Sequence, residues 1–146
     1  MTRDCNNSML RRASRMLSQL YDDALAPSGL RATQHGLLAQ IQIMDGPTLR
    51  QLSEEIVMDL SALGHTLKPL IRDGYVALVP DDRDRRVKHA TLTKAGKRKL
   101  EQTTRLWSEA QQRFEAVFGE KRAASLRDIL QELSSEDFRT AFKATS

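Results

Sequence analysis

The chain has 146 residues, of which 40% are hydrophobic and 29% charged, a balance typical of one globular domain with a sizeable core. No apolar run approaches the roughly 20 residues that a membrane span needs, so we expect no transmembrane helix. Cys5 is the only cysteine, which excludes a disulfide framework. The N-terminus lacks the apolar segment of a signal peptide, which predicts a cytoplasmic protein.

The net charge of +4 is distributed unevenly along the chain. Between Asp81 and Arg105, nine Lys or Arg residues stand against four acidic residues, a local excess of five positive charges. The rest of the chain is close to neutral, so the positive potential comes from one region, as expected of a surface that binds a polyanion. A solvated charged face is the alternative that charge alone leaves open.

Helical periodicity dominates the first part of the chain. Apolar residues at three- and four-residue steps predict a first helix near residues 7–26, for which the polar run Asn6 to Ser8 supplies N-caps. A second helix is predicted to begin at a Thr33 cap and to end at the Asp-Gly-Pro turn of residues 45–47.

The middle of the chain predicts a winged helix. Thr48 caps a short helix, Leu49–Ile56, and a tight link leads to a second one, Leu60–Asp73, which together form a candidate helix-turn-helix. The strand-like runs Tyr-Val-Ala-Leu-Val and Lys-His-Ala-Thr-Leu follow, joined by a long charged loop, and predict a β-hairpin.

From Thr93 the helical period returns and predicts a helix of roughly 25 residues that Gly119 ends. A further amphipathic segment follows it, so the predicted fold class is mainly α with a small β-hairpin wing. Apolar stripes at both chain ends exceed what a small winged helix can cover, so we expect a homodimer. The expected organisation is one unit over residues 1–146, with dimerisation helices at 7–30 and 105–146 and a DNA-binding winged helix at 31–104.

The predicted helix Leu60–Asp73 has two different sides. Core-like spacing relates Leu63, Leu67, Leu70 and Ile71. The other side carries short polar, ring and cationic side chains suited to a DNA major groove: Ser61, His65, Lys68 and Arg72. Gly64 permits close backbone approach, and Asp59 or Ser61 can cap the helix. Because Pro69 removes a backbone donor, we expect a kinked but continuous helix. An ordinary solvated helix face is the alternative.

The charged loop of residues 81–86 alternates acids and arginines. Arginines beside a groove-reading helix can enter the adjacent minor groove, whose negative potential attracts guanidinium groups. The predicted DNA contacts of the wing are Arg85 and Arg86 in the minor groove and Arg83 and Lys88 on phosphates. Asp84, two residues before Arg86, is predicted to pair with it and hold it in place. A mutually neutralising surface loop is the alternative.

Three motifs resemble those of the MarR family of bacterial transcriptional regulators: Leu-x-x-Leu-Ile-Arg-Asp-Gly-Tyr-Val at 67–76, Asp-Asp-Arg-Asp-Arg-Arg at 81–86 and Leu-Thr-Lys-Ala-Gly at 92–96. The order of elements agrees over about residues 7–135. The resemblance implies a symmetric dimer that binds a palindromic operator in double-stranded DNA, usually as a repressor released by small phenolic, aromatic or lipophilic ligands. The alternatives are an effector-independent activator and a nucleoid-type DNA-binding protein.

The resemblance also implies a ligand cavity between the first, second and long helices. The residues expected to line it are Arg15, Tyr21, His35, Leu38 and Trp107, and core packing is the alternative for each.

Two features depart from the family pattern. One branch of the family carries an Arg and a Thr pair where this chain has Leu60, Ser61 and Ala62. Peroxide sensors of the family use a Cys in the first helix and supporting tyrosines, and the matching positions here hold Asn7, Ala32 and His35. Cys5 lies two residues before Asn7, so a thiol-based redox role and an incidental thiol are both open.

No enzyme site is predicted. The three histidines His35, His65 and His89 lie on separate elements, and neither a CxxC pair nor a phosphate-binding glycine motif occurs. We therefore expect no catalytic residue, no metal ion and no cofactor.

Overall fold

The computed structural model describes Arg3 and residues 5–145. The helices of this part are, in chain order, α1 (Asn6–Leu25), a short 3-10 helix (Ala26–Ser28), α2 (Ala32–Met44), α3 (Leu49–Glu55), α4 (Leu60–Arg72), α5 (Lys94–Phe118), α6 (Glu120–Leu133) and α7 (Glu136–Ala144). Strands β1 (Val76–Pro80) and β2 (Lys88–Leu92) lie between α4 and α5. The predicted fold class is confirmed. No helix of the described residues is long and apolar enough to cross a membrane.

The chain forms two compact units, residues 1–107 and 108–146, and the boundary lies within α5. The first unit contains α1 to α4, the hairpin and the first half of α5. The second unit contains the remainder of α5 together with α6 and α7.

Buried aliphatic side chains form the core of the first unit. They are Leu30, Leu37, Leu38, Ile41, Leu52, Leu63, Leu67, Leu70, Val76, Ala90 and Leu100. The α4 members recur at steps of four and three, so one side of that helix is buried and the opposite side faces solvent. Ile71, predicted on the buried side, is 37% exposed. It follows Leu70 directly, and one residue turns a helix by about 100°, which carries Ile71 away from the core.

Two helix starts differ from the prediction. Cys5, not a residue of the run Asn6 to Ser8, occupies the N-cap of α1, and its side chain caps no backbone group. Arg31, not Thr33, occupies the N-cap of α2. The backbone N–H of Ala32 donates to the Asp22 carboxylate at 2.8 Å, so a side chain from α1 takes the capping role that sequence assigned to Thr33.

The caps of the helix-turn-helix follow the sequence. Thr48 Oγ1 accepts a hydrogen bond from the N–H of Gln51 at 3.1 Å, which begins α3. Asp59 Oδ1 accepts one from the N–H of Ala62 at 2.7 Å, which begins α4. These bonds satisfy backbone donors that the helices themselves leave open.

The hairpin is antiparallel and is joined tightly to α5. Val76 lies opposite Leu92, and Pro80 lies opposite Lys88. After β2, the Thr93 hydroxyl donates to the carbonyl of Gly74 at 2.6 Å. A Cβ on Gly96 would overlap the Tyr75 carbonyl. The Leu-Thr-x-x-Gly spacing therefore holds the start of α5 against the turn that precedes β1.

Both ends of the chain carry apolar side chains that the chain leaves exposed. On α1 they are Met9, Leu10, Met16 and Leu20. In the second unit they are Val117, Ile129, Leu130, Leu133, Phe138 and Phe142. Within that unit the Phe114 and Phe118 rings pack at 5.4 Å, and the Arg122 guanidinium lies 4.2 Å from the centre of the Phe118 ring.

Candidate DNA-binding surface

The exposed side of α4 carries the four residues predicted to face DNA. Ser61, His65, Lys68 and Arg72 are all exposed. Their spacing of four, three and four residues places them within about 60° around the helix axis. The Arg72 Nε donates to Asp73 Oδ1 at 3.1 Å, and this Arg side chain is 72% exposed. The structure thus presents one row of polar and cationic groups opposite the buried leucines.

Gly64 lies beside this row and has no role inside the protein that requires glycine. Its backbone is helical, and a Cβ built on it meets no atom within 4 Å. Glycine in a helix interior costs about 1 kcal/mol relative to alanine. The space beside Gly64 is therefore open, and its predicted role in close backbone approach stays a prediction.

Helix α4 continues through Pro69. Because Pro69 has no N–H, the carbonyl of His65 lacks the donor that a helix normally supplies. Burial of Leu67 and Leu70 on either side of Pro69 keeps the segment helical. The predicted continuity is confirmed, and the kink stays a prediction.

The wing contains the ion pair that its sequence predicts. Arg86 Nε donates to Asp84 Oδ1 and Nη2 donates to Oδ2, both at 3.0 Å, and the Arg86 backbone N–H also donates to Oδ1 at 3.1 Å. The Arg86 hydrogen bonds lower the pKa of Asp84, and Asp84 raises the pKa of Arg86. The Arg86 side chain is nevertheless 91% exposed. It is held in one orientation and remains accessible to a partner.

A second carboxylate shapes the loop. Asp81 Oδ2 accepts hydrogen bonds from the backbone N–H groups of Arg83 at 3.0 Å and Asp84 at 3.1 Å. The N–H of Asp81 donates to the Val87 carbonyl, and the N–H of Val87 donates to the Asp84 carbonyl, both at 2.9 Å. These hydrogen bonds close the base of the loop and hold its backbone. They therefore fix the positions of the Cα atoms from which the arginine side chains extend.

The other predicted wing contacts differ in exposure. Arg83 and Arg85 are exposed, whereas Lys88 at the start of β2 is half-buried.

His89 connects the wing loop to the turn between α2 and α3. Its Nε2 lies 2.7 Å from Asp81 Oδ1, and its Nδ1 lies 2.8 Å from the Gly46 carbonyl oxygen. The hydrogen bond to Asp81 raises the pKa of His89, and the same bond lowers the pKa of Asp81. The sequence alone indicated a role for neither His89 nor Asp81. Asp81 begins a turn, a position that favours Asp, but no local signal marks the contacts of His89.

The residues predicted to line a ligand cavity lie in different environments. His35 Nδ1 lies 2.8 Å from Thr103 Oγ1, and the Thr103 hydroxyl donates to the Leu100 carbonyl at 3.1 Å. The tautomer of the imidazole decides whether Nδ1 or the hydroxyl donates in the bond between His35 and Thr103. Burial lowers the pKa of His35, and its ring stacks on Trp107 with centroids 6.0 Å apart. No signal in the sequence marks Thr103 as the partner of His35, because the two residues are 68 positions apart in the chain.

The other three residues predicted to line that cavity differ from one another in how deeply they are buried. Leu38 is fully buried in the core, which is the alternative that the sequence left open for it. Arg15 is exposed on α1, and Tyr21 is half-buried near the end of that helix.

Cys5 is exposed at the start of α1. A hydrogen bond from the Ser8 side chain lowers the pKa of its thiol. Among the described residues, no group of three His, Cys, Asp or Glu side chains is placed to hold a metal ion.

Comparison with known proteins identifies the family. Residues 28–87 match the sequence profile of the MarR family. MosR, a transcriptional regulator of M. tuberculosis whose crystal structure contains DNA, is 31% identical to this chain. The alignment covers 98% of this chain and 100% of MosR, with a TM-score of 0.83. The chain belongs to the MarR family. Its members are transcriptional regulators, not enzymes.

Two further proteins are similar to the chain. BadR, a transcriptional activatory protein of Rhodopseudomonas palustris, is 30% identical over 114 residues, which are 76% of this chain, and the match spans 62% of the length of BadR. A mutant of MarR from E. coli in complex with operator DNA has a TM-score of 0.78 at 23% identity, with 87% of this chain and 91% of that chain covered. At that identity the likeness establishes the fold.

Proposed function

We propose that this MarR-family protein is a homodimeric repressor that binds a palindromic operator in the bacterial cytoplasm and is released by a small aromatic or lipophilic ligand. The observation that carries the DNA-binding part is Arg86, which Asp84 orients while leaving it exposed. An arginine that is already ordered loses less conformational entropy when it enters a groove. The DNA complexes of MosR and E. coli MarR support the same assignment.

The residues divide into two groups by the groove that they enter. Helix α4 enters the major groove, where Ser61, His65 and Lys68 contact base edges and Arg72 contacts the backbone. The wing lies on the adjacent minor groove, where Arg86 and then Arg85 enter, while Arg83 and Lys88 neutralise phosphates. The departure at Leu60 to Ala62 means that the first turn of α4 reads bases without a cation.

The sign of regulation has two candidates. BadR is named as an activatory protein, which favours activation as the alternative to repression. A nucleoid-type role is the third reading, and it differs because it needs no operator. Competition with unrelated DNA separates the last reading from the first two, since a specific complex survives such competition.

Arg86→Ala tests the DNA-binding surface. The variant is expected to bind operator DNA about tenfold or more weakly, because it loses an oriented cation from the groove. The dependence of log affinity on log salt should flatten by about one unit, since one fewer counterion is released. Fluorescence anisotropy with the DNA upstream of the gene, across a salt series, measures both quantities.

Arg139→Ala is the matched control for this experiment. It removes the same charge from α7, where Arg139 pairs with Glu136 at 3.4 Å on an exposed surface. The control should sediment as the unchanged protein does, which shows that α7 still supports the same assembly, and should then bind operator with the same affinity and salt slope. Equal losses in the two variants would mean that net charge alone drives binding, and the proposed wing contact would be wrong.

The effector part of the proposal rests on His35 and Trp107. A flat aromatic ligand can stack on these rings, and His35 Nε2 can form a hydrogen bond with it because Thr103 is bonded to the other ring nitrogen, Nδ1. Trp107 is the only tryptophan, so its emission reports occupancy directly. Aromatic acids and their thioesters that quench Trp107 should also lower operator affinity. Quenching without release of DNA would contradict the effector role.

A further inference from the structure

We infer that His89 is a positioning residue for operator binding, because its imidazolium form fastens the wing loop to the turn between α2 and α3. This inference rests on the proposed function, since the wing is where DNA is expected to bind. It makes DNA binding by the wing depend on the protonation of His89. Neither the family comparison nor the ion pair of Asp84 and Arg86 implies such a dependence.

The contacts of the His89 ring require two protons. A carbonyl oxygen and a carboxylate oxygen can only accept hydrogen bonds. Nδ1 lies 2.8 Å from the Gly46 oxygen and Nε2 lies 2.7 Å from Asp81 Oδ1, so both ring nitrogens face acceptors. A neutral imidazole has one N–H and would direct a lone pair at one of these oxygens. Only the imidazolium donates to both.

The groups around His89 favour its charged form. From the wing loop, Asp81 supplies the carboxylate in contact and Asp82 adds a second negative charge. The turn between α2 and α3 presents the Gly46 carbonyl, and Thr48 pairs with His89 through the backbone. On the neighbouring strand Val79 lies opposite His89, while Lys88 precedes it on its own strand. These surroundings raise the pKa of His89, chiefly through the hydrogen bond to Asp81.

The His89 contacts continue without interruption to the arginines of the wing. One oxygen of Asp81 binds His89, and the other binds the N–H groups of Arg83 and Asp84. Asp84 in turn orients Arg86. When His89 loses a proton, one of its two hydrogen bonds is lost, and the ring no longer connects the Asp81 carboxylate of the wing loop to the Gly46 carbonyl of the turn. The arginines are then less ordered and bind DNA less well.

The direction of the pH dependence follows from the raised pKa of His89. The interaction is fully present below the ordinary histidine pKa of about 6.5 and is lost as pH rises through the higher pKa of the folded state. Operator affinity is therefore expected to fall by about two- to tenfold as pH rises from 6 to 8.5, the loss that one hydrogen bond accounts for.

Asp81→Asn keeps a hydrogen bond to His89 but removes the need for His89 to be positively charged. The amide oxygen of the variant can accept from the N–H groups of Arg83 and Asp84, while its NH2 group donates to an unprotonated His89 Nε2. A neutral His89 is then satisfied on both sides, so operator affinity should no longer depend on its proton. Asp82→Asn is the matched control, because it makes the same charge change at the next residue and leaves the Asp81 contact in place.

The experiment measures operator affinity between pH 6 and 8.5 at constant ionic strength, and follows the His89 ring nitrogens of the free protein by NMR. The expected result is a falling affinity in the unchanged protein and in Asp82→Asn, and a flat profile in Asp81→Asn. The NMR titration of His89 should have its midpoint above about 6.5, and a lower midpoint in Asp81→Asn.

Two results would overturn the inference. One is a His89 midpoint at or below the ordinary value, and the other is an equal pH dependence in Asp81→Asn and the unchanged protein. A different result is a protein that binds no operator at any pH while His89 titrates as expected. The proposed function would then be wrong, and the His89 contacts would have no operator binding to support. The NMR measurement therefore distinguishes the two failures.

Discussion

Gly64 is expected to affect stability and DNA binding in opposite directions. Its backbone is helical and a Cβ there meets nothing within 4 Å, so Gly64→Ala should raise the free energy of unfolding by about 0.5–1 kcal/mol. In the proposed complex the added methyl group lies between α4 and the major groove, so operator affinity should fall. Urea unfolding and operator titration of the same variant measure the two effects.

Gly36→Ala provides the control for this prediction. Gly36 is also an exposed helical glycine, on α2, with nothing within 4 Å of a Cβ. It should give the same gain in stability and leave operator affinity unchanged. If both alanine variants bind operator as tightly as the unchanged protein, Gly64 does not lie against DNA.

Distance along the chain decides which individual contacts the sequence could predict. Asp84 and Arg86 are two residues apart, and their pairing follows from the loop itself. His89 and Gly46 are 43 residues apart, so their contact depends on how β2 packs beside the turn between α2 and α3. The cap of α2 is of the same kind, because its acceptor, Asp22, belongs to another helix. Local chemistry predicts contacts of the first kind and cannot predict the others.

At the scale of elements, the long periodic segments were the most predictable. The helix expected over roughly 25 residues is α5, Lys94–Phe118, and the segment expected at Leu60–Asp73 is α4, Leu60–Arg72. In each, an apolar side repeated over several turns has one consistent interpretation. The boundary between the two compact units lies inside α5, where the apolar period is uninterrupted and therefore gives no signal.

The link between α3 and α4 shows an element held by its neighbours against local preference. Val57 adopts a φ of 54°, in the left-handed region that β-branched residues avoid. The N–H of the next residue, Met58, donates to the Ser53 carbonyl at 2.9 Å and closes the turn. Fully buried Leu52 before the link and Leu63 after it set the orientation of both helices. Core burial outweighs the strain at one exposed residue, so the helix-turn-helix forms without a glycine there.

At the scale of the whole molecule, the proposed function gives the exposed apolar side chains and the positive region a common role, which is the binding of a dimer to two DNA half-sites. A palindromic operator presents two half-sites about one DNA turn apart, so two copies of α4 and the wing must be held at a fixed separation. A dimer can supply that separation by covering the apolar residues of α1 and of the second unit. The same arrangement doubles the number of arginines that meet the DNA.

Phe142→Asp tests this arrangement. Phe142 is 72% exposed on α7, and burying a Phe side chain contributes about 1.5–3 kcal/mol, so its loss should weaken dimerisation at least about tenfold. A charge introduced into an apolar interface adds a desolvation cost. Sedimentation velocity across micromolar concentrations should show a dimer for the unchanged protein and a shift to monomer for the variant.

The matched control is Ile43→Asp, which places the same charge on a side chain that is 76% exposed on α2, in the first unit. It should remain a dimer. Because the two half-sites are bound together only by a dimer, Phe142→Asp should lose affinity for the palindrome and keep its affinity for a single half-site. The arrangement is wrong if the unchanged protein sediments as a monomer and binds the palindrome no better than the half-site. In that case each α4 and wing binds DNA on its own, and the exposed Phe142 needs another explanation.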